Sequence, residues 1–222
     1  MHNIKLIVFD LDNTLYDFNE NWKKGHREIF RELLLDNEID YNIFMDVYIK
    51  EDLRLWKHLS NGDITLKELR IFRVVNTLKF FGKEFTTREG QHFYESMFKY
   101  LISSITIDNE INDLLEKLSV SCELVMLTNG FSNEQNLKIN KLGFKDYFSK
   151  IYISEDIGIE KPDIRVFQRI LTDKNISPEN VLMIGDSLDN DILPAEKIGI
   201  NTLHLNYSQL KMYDFRTVLG GF

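Results

Sequence analysis

The sequence predicts an α/β protein in which a parallel sheet, covered by helices on both faces, is interrupted by an all-helical insertion. Three observations predict this class. Five short apolar runs have the length of buried strands. Helical stretches separate the later runs, which is the order that crossover connections between parallel strands require. The residues between the first and second runs have helical periodicity and contain no convincing strand.

The predicted strands are short apolar runs followed by polar turns, as expected for strands buried on both faces. They span residues 6–9, 124–127, 151–153, 181–184 and 202–205. The helices predicted around these strands span residues 107–118, 133–142, 163–171 and 192–198. Gly143 and Gly199 follow two of the helices, where a left-handed C-terminal cap favours glycine. We expect a sheet of five or six strands.

The stretch between the first two strands has apolar residues at three- and four-residue spacing, for example at Leu66, Leu69 and Phe72. About four helices fit this pattern. We predict a core domain formed by residues 1–15 and 105–222, and a helical domain formed by residues 16–104. No proline occurs in the first 161 residues, so these boundaries depend on the change of pattern and not on composition.

Acidic side chains outnumber basic ones by 35 to 27, which gives a formal net charge of −8 at pH 7. This balance disfavours binding to nucleic-acid polymers or to anionic membrane surfaces, because both need clusters of basic residues. No segment reaches the ~18 apolar residues of a membrane-spanning helix, and the N-terminal residues lack the apolar core of a signal peptide. We expect a cytoplasmic monomer or homodimer that acts on a small molecule.

The single cysteine, Cys122, excludes an intrachain disulfide bond. A catalytic thiol needs an electropositive neighbour, and the adjacent residues provide none. We therefore interpret Cys122 as a small apolar residue at the start of a strand.

Polar clusters follow the predicted core strands or lie in core loops, and they are far apart in the sequence. They consist of Asp10 and Asp12, of Thr128 and Asn129, of Lys161, and of the run from Asp186 to Asp191. Open parallel sheets bind ligands at the carboxyl ends of their strands. We therefore expect these side chains to converge at one edge of the sheet.

These side chains suit phosphoryl transfer through an aspartyl-phosphate. Asp10 is placed to act as the nucleophile. Asp12, two residues further along the turn, could protonate the leaving oxygen and later activate water. Asp10, Asp12 and Asp186 form a set of hard oxygen ligands that suits Mg²⁺.

The remaining residues of the predicted site would hold the phosphate group. The Thr128 hydroxyl and the Asn129 amide offer hydrogen bonds to phosphate oxygens, and Lys161 adds a compact positive charge. Asp191 is expected to support Asp186 through Lys161 or from outside the metal's ligands. Asp189 is expected to face solvent, and Asn190 fits either a helix cap or the site.

In order and spacing, these residues resemble the motifs of the haloacid dehalogenase-like superfamily of hydrolases. Its first motif has the form Asp-x-Asp-x-Thr, its second is Thr or Ser at a strand end, its third is a lysine often followed by proline, and its fourth is Gly-Asp-Ser with a later acid. The matching positions are Asp10 to Thr14, Thr128, Lys161 with Pro162, and Gly185 to Asp191.

The resemblance implies a Rossmann-like, three-layer core with an all-α helical-bundle cap inserted between the first and second motifs. It also implies a Mg²⁺-dependent phosphatase that forms an aspartyl-phosphate. By analogy, residues 15–21 would form the flexible connector of the cap. The 2-haloacid dehalogenases of the superfamily lack the second aspartate of the first motif, so Asp12 favours phosphate chemistry. A non-catalytic descendant is disfavoured because every motif residue is present.

Core segments around residues 128–131, 143–148 and 153–162 are similar to bacterial pyrimidine 5′-nucleotidases of this superfamily. A nucleoside monophosphate is therefore the substrate that the resemblance favours, with sugar-phosphate phosphatase and phosphomutase as alternatives. In the insertion, we interpret Trp22 and Trp56 as core or interface residues, and His26 could face either way. The aromatic tail from Asn206 to Phe222 would pack on the core or mediate self-association.

Overall fold

The computed structural model describes residues 4–33 and 38–216. These residues form two compact units, one from the chain up to Asn19 together with the chain from Ile105 onward, and one from Glu20–Ser104. We call them the core unit and the helical unit. In the sequence analysis, the chain is divided at residues 16 and 104.

The helical unit consists of long helices, and no strand occurs among its described residues. Its helices, with α1 beginning in the core unit, are α1 (Phe18–Glu32), α2 (Tyr41–Ser60), α3 (Leu66–Phe80) and α4 (Thr87–Ser104). Side-chain capping sets the residues at which helices α3 and α4 begin. The Thr65 hydroxyl accepts the Glu68 N–H while the Glu68 carboxylate accepts the Thr65 N–H, and the backbone N–H groups and side chains of Thr86 and Glu89 pair in the same way.

Aromatic side chains dominate the core of the helical unit. Its buried cluster comprises Ile29, Phe30, Ile39, Phe44, Tyr48, Val74, Leu78, Phe93 and Met97. Trp22 is half-buried and packs against this cluster, and His26 is fully buried beside it. Trp56 was interpreted as a core or an interface residue; it is 45% exposed, so the first of these alternatives is wrong. The apolar spacing of a helix cannot distinguish a position at the margin of the buried stripe from one within it.

The core unit is built on a five-stranded parallel sheet with the strand order β3-β2-β1-β4-β5. The strands are β1 (Leu6–Phe9), β2 (Glu123–Thr128), β3 (Lys150–Ile153), β4 (Val181–Gly185) and β5 (Asn201–His204). The predicted class and a five-stranded sheet are confirmed among the described residues. Strand β5 begins one residue earlier than predicted, because Asn201 pairs with Leu182 of β4.

Both faces of the sheet are buried. On one face, Leu6 and Val8 belong to a cluster with Val166, Phe167 and other apolar residues. Residues on the other face, including Ile7, Phe9 and Met126, are equally buried. A strand that is buried on both faces consists of consecutive apolar residues, and this explains why β1 and β4 contain no polar side chain.

The helices of the core unit are α5 (Asn109–Ser121), α6 (Ser132–Leu142), α7 (Ser154–Ile157), α8 (Ile164–Lys174), α9 (Leu193–Glu196) and α10 (Tyr207–Met212). Helix α5 begins later than predicted because the Asp108 side chain caps it, accepting the Glu110 N–H at 2.9 Å. The predicted helix over residues 192–198 is a π-helical turn, Leu188–Ile192, followed by the short α9. Helix α6 ends at Gly143 in the predicted left-handed conformation, with φ of 75°.

The chain after β5 packs on the core unit as far as it is described. The Tyr207 N–H donates to the Asn13 carbonyl at 2.6 Å, the Tyr207 hydroxyl bonds to Asp108, and Phe215 is buried. Phe222, which the sequence analysis placed in the same tail, lies outside the described residues. In the described part of the chain, no helix has both the length and the apolar composition needed to cross a membrane.

Candidate active site

The site begins with a tight turn at the end of β1 that holds Asp10 in place. Asp10 is only 6% exposed, and the Thr14 hydroxyl donates to its Oδ2 at 3.1 Å. The turn closes through the Asn13 N–H, which donates to the Tyr16 carbonyl at 2.6 Å. Asn13 adopts a left-handed φ of 65°, a conformation that asparagine tolerates better than most residues. The Asp-x-Asp-Asn-Thr sequence therefore suits the turn as well as the chemistry.

A buried lysine bridges two carboxylates, one in the turn after β1 and one in the π-helical turn after β4. Lys161 Nζ lies 2.7 Å from Asp10 Oδ1 and 2.6 Å from Asp191 Oδ1. The side chain of Asn129 holds the lysine's backbone, since its Nδ2 donates to the Lys161 carbonyl at 2.8 Å and its Oδ1 accepts the Lys161 N–H at 2.9 Å. Both polar ends of the Asn129 amide thus engage the loop that carries Lys161.

Burial sets the electrostatics of this group. Burial raises the pKa of Asp10 above its usual range, and the positive charge of Lys161 opposes this shift. Burial alone would lower the pKa of Lys161. The Asp10 and Asp191 carboxylates raise this pKa by more than burial lowers it, so the pKa of Lys161 is raised overall. Burial, followed by the Asp191 charge, raises the pKa of Asp186.

Gly185 and Ser187 fix the position of Asp191. The Ser187 N–H donates to Asp191 Oδ2 at 3.1 Å. A Cβ atom at Gly185 would lie 2.3 Å from the same oxygen, so only glycine leaves room for this carboxylate. Asp189 is exposed, as predicted, while Asn190 lines the cavity beside its neighbours and its backbone N–H donates to the Ser187 hydroxyl at 3.2 Å.

Three carboxylates form a cluster that fits a cation. Asp10, Asp186 and Asp191 each offer one oxygen, and these oxygens lie within 4.8 Å of one another. The Asp12 side chain, which the sequence analysis grouped with Asp10 and Asp186, is not part of this cluster. Asp191, which was expected only to support it, is part of the cluster, but both its oxygens are already hydrogen-bonded to Lys161 and to the Ser187 backbone.

A cavity of about 310 Å³ opens at the carboxyl edge of the sheet. It is lined by Asp10, Asp12, Asn13, Thr128, Asn129, Lys161, Asp186, Ser187, Asn190 and Asp191. All the site residues predicted from the sequence therefore line the same cavity. Thr128 is 1% exposed, and its hydroxyl accepts a hydrogen bond from Gln135 Nε2 at 3.0 Å.

The sequence analysis missed two residues of helix α6 that bind Asp12. Lys138 Nζ lies 2.6 Å and 2.5 Å from the two Asp12 carboxylate oxygens, and Gln135 Nε2 lies 3.3 Å from Oδ2. A signal for them was available. The buried stripe of α6 consists of Gln135, Lys138, Ile139 and Leu142, so polar residues occupy two positions where helical spacing demands apolar ones.

A histidine that sequence reasoning also missed contacts the fourth motif. His204, at the end of β5, has its Nε2 2.7 Å from the Asp186 carbonyl oxygen. The contact follows from the sheet register, in which Gly185 pairs with His204. Because the ring nitrogen faces a carbonyl, it is the donor in this hydrogen bond.

The sequence model of the haloacid dehalogenase-like hydrolase family matches residues 4–199. The chain therefore belongs to this family and is a hydrolase, which confirms the resemblance stated from the motifs.

Two relatives with a named activity are phosphatases. The chain is 30% identical over 209 residues to the pyrimidine 5′-nucleotidase PynA of Streptococcus pneumoniae, covering 93% of this chain and 86% of that one. It is 28% identical over 210 residues to the glyceraldehyde 3-phosphate phosphatase of Methanothermobacter thermautotrophicus, covering 91% and 86%. Both names denote phosphoric monoester hydrolases, the enzyme class predicted from the motifs.

Among solved structures, the hydrolase YfnB of Bacillus subtilis matches with a TM-score of 0.75 and 27% sequence identity. The match covers 90% of this chain and 86% of that one. The YfnB crystal structure was determined with magnesium bound and reveals interdomain movement in that protein. The shared fold confirms the predicted three-layer α/β architecture.

Proposed function

We propose that this protein is a Mg²⁺-dependent phosphatase that hydrolyses small phosphate monoesters through an aspartyl-phosphate on Asp10. The observation that carries the proposal is that two carboxylates from one turn line the same cavity, each paired with its own buried lysine. Asp10 contacts Lys161, while Asp12 lines the same cavity and points its oxygens toward Lys138. Two-step phosphoryl transfer requires a nucleophile and a general acid/base close to each other, and the turn after β1 carries both.

In the first step, an Asp10 oxygen attacks phosphorus and the ester P–O bond breaks. Asp12 donates a proton to the leaving oxygen, so that an alcohol departs. In the second step, Asp12 takes a proton from water, whose oxygen attacks the same phosphorus. The Asp10–phosphorus bond breaks, which releases inorganic phosphate and regenerates the Asp10 carboxylate.

Thr128 and Lys161 would hold the phosphoryl group during both steps. Both line the cavity next to Asp10, and both are buried, which strengthens a hydrogen bond or ion pair to a charged ligand. Because the side chain of Asn129 engages the Lys161 backbone, its role in this proposal is to position that loop, in addition to the phosphate contact expected from its sequence position.

The charges of the site support a divalent cation. Four carboxylates, Asp10, Asp12, Asp186 and Asp191, lie at the cavity, and their ammonium partners among the described residues are Lys161 and Lys138. When all four carboxylates are ionised, two negative charges exceed the two positive ones. A phosphate dianion would add to this excess. Asp10 and Asp186 would hold Mg²⁺, a cation that prefers oxygen ligands. Asp12, the third ligand of the sequence prediction, has both carboxylate oxygens on Lys138. When bound, the cation would neutralise charge on the phosphate oxygens.

We propose that the helical insertion, residues 16–104, acts as a cap that sets substrate choice. The similarity to PynA supports a nucleoside 5′-monophosphate as substrate. A triose phosphate is the second candidate, since glyceraldehyde 3-phosphate phosphatase is similar over nearly the same length.

The proposal is tested by assaying phosphate release from nucleoside 5′-monophosphates and triose phosphates, with and without Mg²⁺. We expect Mg²⁺-dependent release that falls by at least about 10³-fold in Asp10→Asn, with the circular dichroism spectrum unchanged. Asp189→Asn, an exposed carboxylate three residues after Asp186, is the matched control and should keep its activity. Chloride release from a chloroacid without metal, in the absence of phosphatase activity, would refute the proposal.

A further inference from the structure

Lys138 is buried at a position of helix α6 where an apolar side chain would be expected. It is 3% exposed and shares the inner stripe of the helix with Ile139 and Leu142. Burying an ammonium group is unfavourable unless it is paired, and a pair of this kind adds little stability compared with a well-packed apolar residue. Stability alone therefore does not account for a lysine at this position.

The partner of Lys138 is the carboxylate of Asp12, 126 residues earlier in the sequence. Its Nζ lies at 2.6 Å and 2.5 Å from Oδ1 and Oδ2, so the ammonium group binds both oxygens. The ring of Phe18 lies 4.8 Å from Nζ, which adds a cation–π contact on another side. The ammonium group is thus enclosed where it meets Asp12.

Gln135, one helical turn earlier, ties the same carboxylate to the phosphate side of the site. Its Nε2 lies 3.3 Å from Asp12 Oδ2, 3.0 Å from Thr128 Oγ1 and 2.5 Å from the Asn129 carbonyl oxygen. The side chains of Asp12 and Thr128 are therefore linked through one amide. The Asp12 side chain itself is 23% exposed, at the cavity.

We propose that Lys138, assisted by Gln135, is a positioning residue that holds the Asp12 carboxylate in the orientation needed to protonate the leaving oxygen. This inference rests on the proposed phosphatase function. A proton donor must lie within hydrogen-bond reach of the leaving oxygen, and a carboxylate free to rotate meets that condition only part of the time. Two donors from one rigid helix restrict that rotation.

The dependence of the rate on the leaving group distinguishes this role from a structural one. Phenolate is a poorer leaving group than 4-nitrophenolate and depends more on protonation, whereas the phosphoryl group is the same in both esters. Lys138→Met should lower kcat/KM for phenyl phosphate by about 10²-fold, and that for 4-nitrophenyl phosphate by only a few-fold. The rates compared are kcat/KM values, because these report on the step in which the leaving group departs and not on hydrolysis of the phosphoenzyme, which is common to both esters. Asp12→Asn should produce the same selective loss with a larger amplitude.

Lys138→Arg should restore most of the rate with phenyl phosphate, because a guanidinium group also binds both oxygens of a carboxylate. Lys141→Met places the same change at an exposed position of the same helix and should leave both rates unchanged. Thermal unfolding of every variant shows whether it is folded at the assay temperature.

The outcomes separate the two claims. Equal losses with both esters in folded Lys138→Met, or no loss with either, would overturn the positioning role and leave the phosphatase proposal intact. A wild-type protein that hydrolyses neither ester in the presence of Mg²⁺, nor any ester of the phosphate panel, would overturn both. If Lys138→Met does not fold, Gln135→Leu decides: a loss confined to phenyl phosphate supports the positioning role, and equal losses or no loss overturn it.

Discussion

The two units of this protein bury different kinds of side chain. In the core unit, Asp10, Lys138, Lys161 and Asp191 are all less than a tenth exposed. Among the described residues of the helical unit, the buried polar side chains are His26 and Thr77, and aromatic rings fill the remaining space. All the described side chains that are both charged and buried therefore lie in the core unit.

The difference in buried side chains reflects different sources of stability in the two units. Buried ion pairs contribute little net stability, because desolvation offsets most of their attraction. An aromatic core obtains its stability from apolar burial alone. The core unit therefore carries groups that are unfavourable to bury and that the proposed function assigns to the active site, while apolar packing dominates the described core of the helical unit. The following predictions test this contrast, from the largest expected effect to the smallest.

Lys161→Met should be the most destabilising change. It leaves the Asp10 and Asp191 carboxylates buried without their shared cation, and breaking a buried pair in this way costs about 3–5 kcal/mol. Lys150→Met is the matched control, because Lys150 pairs with Asp173 at the surface and should contribute under about 1 kcal/mol. Urea unfolding followed by circular dichroism measures both. Similar losses for the two variants would refute the contrast between buried and exposed pairs.

Gly185→Ala should reduce both stability and activity. The added methyl group would lie 2.3 Å from Asp191 Oδ2, so the carboxylate must move away from Lys161. We expect a loss of about 1–3 kcal/mol from overpacking. A fall in kcat of up to about 10²-fold should accompany it, because misplaced groups react slowly.

Gly90→Ala provides the comparison in the helical unit, where a Cβ atom would lie 2.6 Å from a Val75 methyl group. Crowding there is partly offset by the higher helix propensity of alanine, and no charged group is displaced. We expect a smaller change in stability and an unchanged kcat. A Gly185→Ala enzyme that retains full activity would show that the position of Asp191 is not critical.

His26→Phe should remove a pH dependence from the helical unit. Burial, followed by the charge of Arg73, lowers the pKa of His26 to about 3, whereas an unfolded histidine has a pKa of about 6.5. The unfolded state therefore binds a proton that the folded state rejects, and stability falls as the pH drops below about 6.5 toward 3. Between pH 7 and pH 5 this amounts to about 2 kcal/mol.

Both tryptophans, Trp22 and Trp56, lie in the helical unit, so fluorescence during urea unfolding reports on that unit. The decrease in the free energy of unfolding between pH 7 and pH 5 should be smaller by about 2 kcal/mol in His26→Phe than in the wild-type protein. At pH 7 the variant should gain about 1 kcal/mol, since both ring nitrogens of His26 are buried and have no hydrogen-bond partner among the described residues. The exposed His92, changed to Phe, is the control. An unchanged pH slope in His26→Phe would contradict the assignment.

The sequence predicted the sheet and the convergence of the site because both depend on local patterns. Apolar runs define the strands, and parallel strands bring their carboxyl ends to one edge, so Asp10 and Thr128 were expected to meet there, with Lys161 in the loop that follows the third strand. The bonds of Lys138 and Gln135 to Asp12 were not predicted, since they join helix α6 to a turn that is distant in the sequence. The sequence also did not predict which aromatic residues of the helical unit are buried, as the exposed Trp56 shows.

The central claim is that Asp10 carries the phosphoryl group during turnover. It is tested most directly by rapid acid quenching of the enzyme as it turns over a radiolabelled phosphate ester with Mg²⁺, followed by peptide mapping. We predict label on the peptide that contains Asp10, and no label on any peptide of Asp10→Asn. Phosphate release from the ester with no label on that peptide at any quench time, or with label on a different side chain, would contradict the account.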